Sequence, residues 1–145
     1  MSKITETMTA EHRQCDASFA QAEECVAADD WDQGGALYTA FMNETEHHFR
    51  KEEEVLFPQF EQLMGHAMGP TQVMKAEHAQ MRQLFQDMQA AVDERDKDRY
   101  LGLSETLMIL MQQHNMKEEQ ILYRMADQAL AANADNILQM IDNVE

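Results

Sequence analysis

The chain has 145 residues, enough for one domain with a sizeable core, and a formal net charge of −16 from 27 acidic and 11 basic residues. This charge disfavours nucleic acids and anionic membranes as partners. No apolar run approaches the roughly 18 residues of a membrane span, and the N-terminal residues lack the apolar stretch of a secretory signal. We therefore expect a cytoplasmic protein that folds as a single domain over residues 1–145.

The composition is typical of a helical protein. Five Gly and two Pro stand against 13 Met and many Ala, Gln and Glu, and these abundant residues favour helices over strands. Cys15 and Cys25 lie in one helical segment, too poor a pattern for a disulfide framework or a cysteine-based zinc site. The predicted class is all-α, with both cysteines reduced.

The first half of the chain predicts two helices with histidine on their inward faces. Residues at spacings of three and four form the inward stripe of the first helix: Ile4, Met8, His12, Cys15, Phe19, Ala22 and Val26. After a break at residues 28–30, where an aspartate can cap the next helix, a second stripe follows. Its members are Leu37, Phe41, Glu44 or Thr45, His48, Glu52, Val55 and Gln59.

The second half repeats this arrangement after the Gly69-Pro70 pair, which suits the start of a helix. The third stripe comprises Met74, His78, Met81, Phe85, Met88 and Val92. A charged turn at residues 93–96 leads to the fourth stripe of Tyr100, Leu103, Leu107, Leu110, His114, Glu118, Ile121 and Met125. A short helix that docks on the bundle is predicted from Ile137, Met140, Ile141 and Val144.

Helix lengths predict that the four stripe histidines meet at one level. Counted from the turn of its hairpin, each histidine lies about 25 Å along its helix. The middle connection does not follow from this arithmetic, because the second helix overruns His48 while the third reaches His78 quickly. The segment after Pro58 must therefore kink, overhang or fold back.

An internal repeat relates the two halves. A shift of 66 residues aligns seven of fifteen positions around His12 with those around His78, and aligns His48 and Glu52 with His114 and Glu118. Average residue usage gives roughly one such identity by chance. The pattern indicates a duplicated helical hairpin, so the bundle should have approximate two-fold symmetry about its histidine layer.

Four imidazoles and two carboxylates in one buried layer indicate a metal site. A histidine and a glutamate four residues apart project from the same helix face, so both can reach one ion. Structural zinc usually takes four ligands, often thiolates, whereas iron or manganese accepts more, and carboxylates can bridge two such ions. If Glu52 and Glu118 both bridge, positions remain for a solvent-derived bridge and an added ligand. The alternative is that the histidines are ordinary core residues whose hydrogen bonds are satisfied without a metal. Unpaired charges in this layer would, however, cost several kcal/mol each.

The chain resembles the H…HxxxE…H…HxxxE pattern of hemerythrin-like HHE domains. His12 and His78 match the two histidines that lack a glutamate four residues later, and the two HxxxE pairs lie in HHFRKEEEVLFP from His47 and HNMKEEQILY from His114. The resemblance covers nearly the whole chain and implies an up-down-up-down four-helix bundle. It also implies a non-haem site of two Fe ions, or Mn, with a bridging oxo or hydroxo group. The metal ligands that it implies are His12, His48, Glu52, His78, His114 and Glu118.

The sequence departs from the oxygen-carrying hemerythrins that it resembles, because Met74 stands where they have a further histidine and the acid of the fourth helix is Glu118 at i+4. The resemblance therefore implies a symmetric site. Met8 and Met74 are expected to pack in the core and wall the ligand pocket.

Other polar candidates near the layer have lesser predicted roles. Cys15 is predicted to fill apolar space, and His47 to lie off the stripe. Glu53 and Glu119 are predicted to lie on solvated faces. Carboxylates often orient metal-binding histidines, and residues predicted as candidates for that role are Glu11 and Glu77. His66 is predicted to be exposed, without a role.

Three functions remain open. The first is a binding protein that senses, stores or carries oxygen, nitric oxide or iron, as a monomer whose partners are such small ligands. The second is a di-iron redox enzyme for ferroxidase, peroxide-reducing or iron-delivery repair chemistry. The third is a structural bundle with adventitious metal.

Overall fold

The computed structural model describes residues 2–65 and 69–145, and the described part contains helices and turns without a strand. The first hairpin consists of α1 (Lys3–Ala27), α2 (Trp31–Lys51) and α3 (Phe57–Met64), with a π-helical turn at Glu52–Leu56 between α2 and α3. The second consists of α4 (Gly69–Asp93), α5 (Lys97–Lys117) and α6 (Tyr123–Ala129), with a π-helical turn at Glu118–Leu122. A 3₁₀ turn at Ala131–Asn133 leads to α7 (Ala134–Asp142). The all-α class and the short C-terminal helix are confirmed.

The tight turns of the two hairpins have the same chemistry. Asp29 (φ 62°) and Arg95 (φ 52°) adopt the left-handed conformation that ends a helix. The next residue caps the following helix: Asp30 accepts from the Gln33 amide at 3.2 Å, and Asp96 from the Arg99 amide at 3.2 Å. The caps explain why α2 and α5 begin where they do.

The four long segments pack as an antiparallel bundle. α1 lies against α2 and α5, and α4 lies against α5 and α2. Two apolar clusters fill the interior, one around Phe41 and Phe85 towards the tight turns and the other around Phe57 and Tyr123 towards the chain ends. The histidine layer lies between them, because Cys15 belongs to the first cluster and Met8 to the second.

The π-helical turns explain the largest errors in the predicted stripes. A π-helical turn inserts one residue into the helical repeat, so positions beyond it rotate relative to an α-helical pattern. Gln59 and Ile121 were expected inside, but the buried residues are Phe60 and Leu122, and Ile121 is 55% exposed. Arg124 follows the second π-helical turn where Pro58 follows the first, so the proline is not the cause of these turns.

Smaller register errors occur elsewhere. Four predicted stripe residues are only partly buried, and a neighbour of each is buried instead. The partly buried residues are Leu37, Val92, Leu103 and Leu110, and their buried neighbours are Tyr38, Ala91, Ser104 and Met111. In the tail, Ile137 and Ile141 are buried as predicted, whereas Met140 is 36% exposed.

The helix that precedes the middle connection, α3, packs against α6. The second helical segment passes Pro58 without a break and continues to Met64, where Gly65 (φ 83°) ends it. α3 then returns a carboxylate to the start of α4, since Glu61 accepts from the Thr71 hydroxyl at 2.5 Å. His66 lies outside the described residues. Among the helices in the described part, none has the length and apolarity that crossing a membrane requires.

Candidate metal centre

Six buried polar side chains form one layer in the middle of the bundle. They are His12 from α1, His48 from α2, His78 from α4, His114 from α5, and Glu52 and Glu118 from the two π-helical turns. None is more than 3% exposed. The predicted common depth is observed, because the ring centroids of His12 and His48 are 4.7 Å apart and those of His78 and His114 are 4.9 Å apart.

These six residues make two overlapping sets of donor atoms. His12, His48, Glu52 and Glu118 form one set, and His78, His114 and the same two glutamates form the other. Within each set the donor atoms lie within 4.8 Å of one another. Glu52 spans both sets, with Oε2 3.6 Å from His48 Nε2 and Oε1 3.1 Å from His78 Nε2. Two cations that share both carboxylates would fit this arrangement.

Unsatisfied buried atoms also indicate a missing positive charge. In the described part of the chain, four atoms of the second set lack a hydrogen-bond partner: Glu52 Oε1, His78 Nε2, His114 Nε2 and Glu118 Oε2. His78 Nε2 is close to Glu52 Oε1, but the pair is not aligned as a hydrogen bond. Buried polar atoms without partners are costly, and lone pairs of imidazole and carboxylate that converge on one point are what a cation needs. The residues present therefore fit a metal.

Charge within the layer favours protonated histidines when no cation is bound. Burial alone lowers the pKa of a histidine, but Glu118 and Glu52 outweigh it and raise the pKa of His114 to about 9. Burial also lowers the pKa of His48, but Glu52 and Glu11 outweigh burial and raise this pKa well above its usual value. Burial would raise the pKa of Glu52, but His48 and its hydrogen-bond partners hold it well below the usual range. Cation binding would replace these protons.

Each histidine is oriented by a carboxylate on its Nδ1 atom, which leaves Nε2 directed into the layer. Glu11 and Glu77 bind His48 and His114, each at 2.8 Å, so the predicted orienting role agrees with the structure.

The prediction that Glu53 and Glu119 lie on solvated faces is wrong. They lie 2.6 Å from His78 and 2.7 Å from His12, and are 24% and 18% exposed. The π-helical turn rotates the residue after Glu52 or Glu118 towards the neighbouring helix, which an α-helical reading of the sequence could not show.

A lysine or arginine side chain binds each of the four orienting carboxylates. Lys51 binds Glu11 at 2.8 Å, and Lys117 binds Glu77. Arg82 binds Glu53 at 2.9 Å, and Arg13 binds Glu119 at 3.1 Å. Although burial opposes the shift, hydrogen bonds from His78 and Arg82 lower the pKa of Glu53 to about 2. Chains of cation, carboxylate and imidazole thus converge on the layer from four sides.

Comparison with known families decides the class of this site. A family model described as the hemerythrin HHE cation binding domain matches residues 3–126. The chain belongs to this family. Comparisons with curated proteins and with solved structures give no match. The predicted resemblance is therefore confirmed, and the buried histidines and glutamates are the candidate cation site of a hemerythrin-like domain.

Sequence reasoning missed one residue of this hemerythrin-like site. The Tyr123 hydroxyl lies 2.6 Å from Glu52 Oε2 and 2.9 Å from Glu118 Oε1. Burial, together with both glutamates, raises the pKa of Tyr123 well above its usual value, so the hydroxyl is a hydrogen-bond donor in the absence of a cation. The 66-residue shift pairs Tyr123 with Phe57, and this tyrosine-for-phenylalanine difference was the available signal.

The expected symmetry holds for the six histidines and glutamates but not for the aromatic rings that pack against them. Phe49 stacks on His78 with ring centroids 3.9 Å apart, and the centroid of the Phe57 ring lies 6.0 Å from that of His78. Asn115 occupies the position equivalent to Phe49 and lines a surface pocket of 390 Å³ together with Glu119. The His78 half is therefore enclosed by aromatic rings, and the His12 half adjoins a polar pocket.

Four residues that were not predicted as ligands lie outside the donor sets. His47 contacts the tail, with Nε2 2.7 Å from the Val144 carbonyl oxygen. Cys15 is buried in the apolar cluster, and burial raises the pKa of its thiol, which agrees with the predicted filler role. Met8 and Met74 are buried in the other cluster, as the core-packing prediction requires.

Proposed function

We propose that this hemerythrin-like domain is a non-haem di-iron protein that binds or senses a small ligand, oxygen or nitric oxide. The observation that carries the proposal is the pair of overlapping donor sets that share Glu52 and Glu118. In this proposal His12 and His48 hold one metal, His78 and His114 hold the other, and both glutamates bridge.

Donor chemistry supports iron over zinc. The two sets contain imidazole and carboxylate donors, and neither includes a cysteine. Six side chains shared between two ions exceed what tetrahedral structural zinc uses, whereas iron and manganese accept five or six ligands. The remaining positions would take a solvent-derived oxo or hydroxo bridge and the added ligand.

Burial supports a small ligand. The donor side chains are at most 3% exposed and lie between two apolar clusters. An organic substrate could reach them only if helices moved apart, whereas a diatomic gas can pass through small fluctuations of side chains. The apolar side chains, including Met8 and Met74, would keep bulk water from the bound gas.

The proposal takes residues 1–145 as one domain. α7 lies beyond the family match, but Ile137 and Ile141 are buried in the apolar cluster that contains Val55 and Phe57. Cys15 and Cys25 are free, which accords with the cytoplasmic location that we infer.

Metal analysis of protein purified without added metal tests the proposal. We expect about two Fe per chain, or mixed Fe and Mn, and an optical spectrum that changes when azide is added. A single tightly bound zinc per chain would contradict it. Protein that binds two irons but whose spectrum is insensitive to azide, oxygen and nitric oxide would overturn the ligand-binding part alone.

Kinetics separate this function from a redox enzyme. A binding protein takes up oxygen or nitric oxide once per metal pair, so consumption should stop at stoichiometric amounts. Sustained consumption of oxygen or hydrogen peroxide in the presence of a reductant would replace the binding function with the enzymatic one.

A further inference from the structure

The Tyr123 hydroxyl lies among the four donor atoms of the first set. Besides the two glutamate contacts, it lies 3.1 Å from His12 Nε2 and 3.3 Å from His48 Nε2. Tyr123 is fully buried. A fully buried hydroxyl that touches two carboxylates and two imidazoles is unusual for a side chain that only fills space, because one O–H donor and the acceptor lone pairs of one oxygen cannot satisfy four partners at once.

These four distances resemble the spacing of ligands around a metal ion. Neighbouring ligands that each lie about 2.1 Å from an octahedral ion are about 3.0 Å apart. The hydroxyl oxygen lies 2.6, 2.9, 3.1 and 3.3 Å from the four donors. It therefore has the spacing of a fifth ligand adjacent to the other four.

Among the residues that the structure describes, the second donor set has no such group. Phe57 is the repeat counterpart of Tyr123 and brings a ring without a hydroxyl. The four unsatisfied atoms belong to this second set, whereas the Tyr123 hydroxyl reaches the donors of the first. Each metal position thus has two histidines of its own and the two shared glutamates, and the two positions differ by one oxygen.

We propose that Tyr123 is a ligand of the metal held by His12 and His48, which makes the two metal positions chemically unequal. The inference rests on the proposed di-iron function. When the oxygen–metal bond forms, the phenolic O–H bond breaks and its proton passes to solvent, as protons do when ligands bind cations. Oxygen donors suit ferric iron, so the tyrosine position should hold its iron as Fe(III) more firmly than the other.

The test uses the visible absorption of the full-length protein loaded with Fe(III). A tyrosine oxygen bound to ferric iron produces a charge-transfer band in the visible range, which histidine and carboxylate ligands do not. The variants are Tyr123→Phe, the double variant Phe57→Tyr with Tyr123→Phe, and the control Tyr38→Phe. Tyr38 is also fully buried, but its hydroxyl donates to the Phe85 carbonyl at 2.7 Å, away from the layer.

We expect the band in the wild-type protein and in Tyr38→Phe, and its loss in Tyr123→Phe at an unchanged content of two irons. The double variant should regain a band, because the hydroxyl then faces the other donor set. Resonance Raman excitation of the wild-type band should show tyrosine ring vibrations, and this result holds even if Tyr123→Phe fails to fold.

Two results would overturn the inference: two ferric irons bound to the wild-type protein without the band, or a band that Tyr123→Phe leaves unchanged. Either would leave the hydroxyl as a hydrogen-bond donor to the glutamates. Failure of the wild-type protein to bind two irons at all would instead contradict the proposed function, so the two failures are distinguishable by metal content.

Discussion

The two hairpins keep the same polar groups but surround them with different apolar ones. The layer residues, the orienting carboxylates, the supporting lysines, the π-helical turns and the capping aspartates all recur at a shift of 66 residues. The apolar surroundings recur only in part, since Phe19 and Phe85 match but other core positions do not. Gly34 and Tyr38 in α2 correspond to Tyr100 and Ser104 in α5, and the two tyrosine rings meet edge to face with centroids 5.7 Å apart.

This difference shows which positions of the duplicated sequence were free to change. A residue in a metal site must supply a particular atom at a particular place, whereas a core position needs only the right volume. Tyr38 and Tyr100 fill the core from non-equivalent positions, so one half can lose bulk where the other gains it. Tyr123 differs from these core positions, because there the halves differ in a polar atom that contacts Glu52 and Glu118.

The largest effect is expected at Glu52 and Glu118, the two carboxylates that both donor sets share. Glu52→Gln and Glu118→Gln each keep the side-chain shape and remove one charge shared by both donor sets, so both variants should lose or loosen the metals similarly. Metal bound only to the folded state stabilises it by mass action, so a thousandfold loss of affinity costs about 4 kcal/mol. Metal content and melting curves measure this. Two metals retained by one variant and none by the other would show that the bridges are not equivalent.

A large difference between the halves is expected beside α7. α7 packs against the first π-helical turn, so Val55 is 7% exposed, whereas its counterpart Ile121 is 55% exposed. Val55→Glu buries a charge and should destabilise the protein by roughly 3 kcal/mol, while Ile121→Glu should change stability by less than about 0.5 kcal/mol. Denaturant unfolding of both variants checks this, and equal losses would mean that another surface covers Ile121 in solution.

Smaller, matched effects are expected at the orienting carboxylates. Glu53→Gln and Glu119→Gln remove the charge that holds the Nδ1 atoms of His78 and His12, and loss of such partners lowers metal affinity roughly 10- to 100-fold. Competition with a chelator measures the affinity. The matched control is Glu46→Gln, which removes a charge that Arg82 binds at 2.8 Å but no contact to a histidine. If Glu53→Gln behaves like this control, then His78 does not need the carboxylate.

The sequence predicted the residues of the layer more successfully than the packing around them. Every predicted inward residue of α1 is buried, because a straight α-helix keeps one period throughout. In the second and fourth segments the buried positions shift at the π-helical turns. The spacing of apolar residues in the sequence does not indicate these turns. For the same reason Glu53 and Glu119 were assigned to solvent although they bind histidines.

Other features depend on contacts that are distant in the chain. Asp127 accepts hydrogen bonds from the amides of Ile4 and Thr5 at 2.9 and 3.1 Å. Asp127 thus caps the start of α1, although it lies in α6. Asp127 also accepts from the Thr5 hydroxyl at 2.6 Å, and its repeat counterpart Glu61 accepts from the Thr71 hydroxyl at 2.5 Å. Local capping rules look for such a residue next to the helix start, so a partner more than a hundred residues away cannot be predicted from one sequence.

The smallest effect is expected at the two capping aspartates, where the halves should be indistinguishable. Asp30 and Asp96 each follow a residue with positive φ and each accept one amide at 3.2 Å. Both bonds are solvent-exposed and lie at the tight turns, away from the metal layer. Asp30→Ala and Asp96→Ala should therefore each cost about 1 kcal/mol and leave metal content unchanged. Equilibrium unfolding of the metal-free protein measures both. If one variant loses at least three times as much free energy of unfolding as the other, the two turns stabilise their hairpins unequally although their geometry is alike. A charged group near one turn would then contribute stability beyond that of the hydrogen bond.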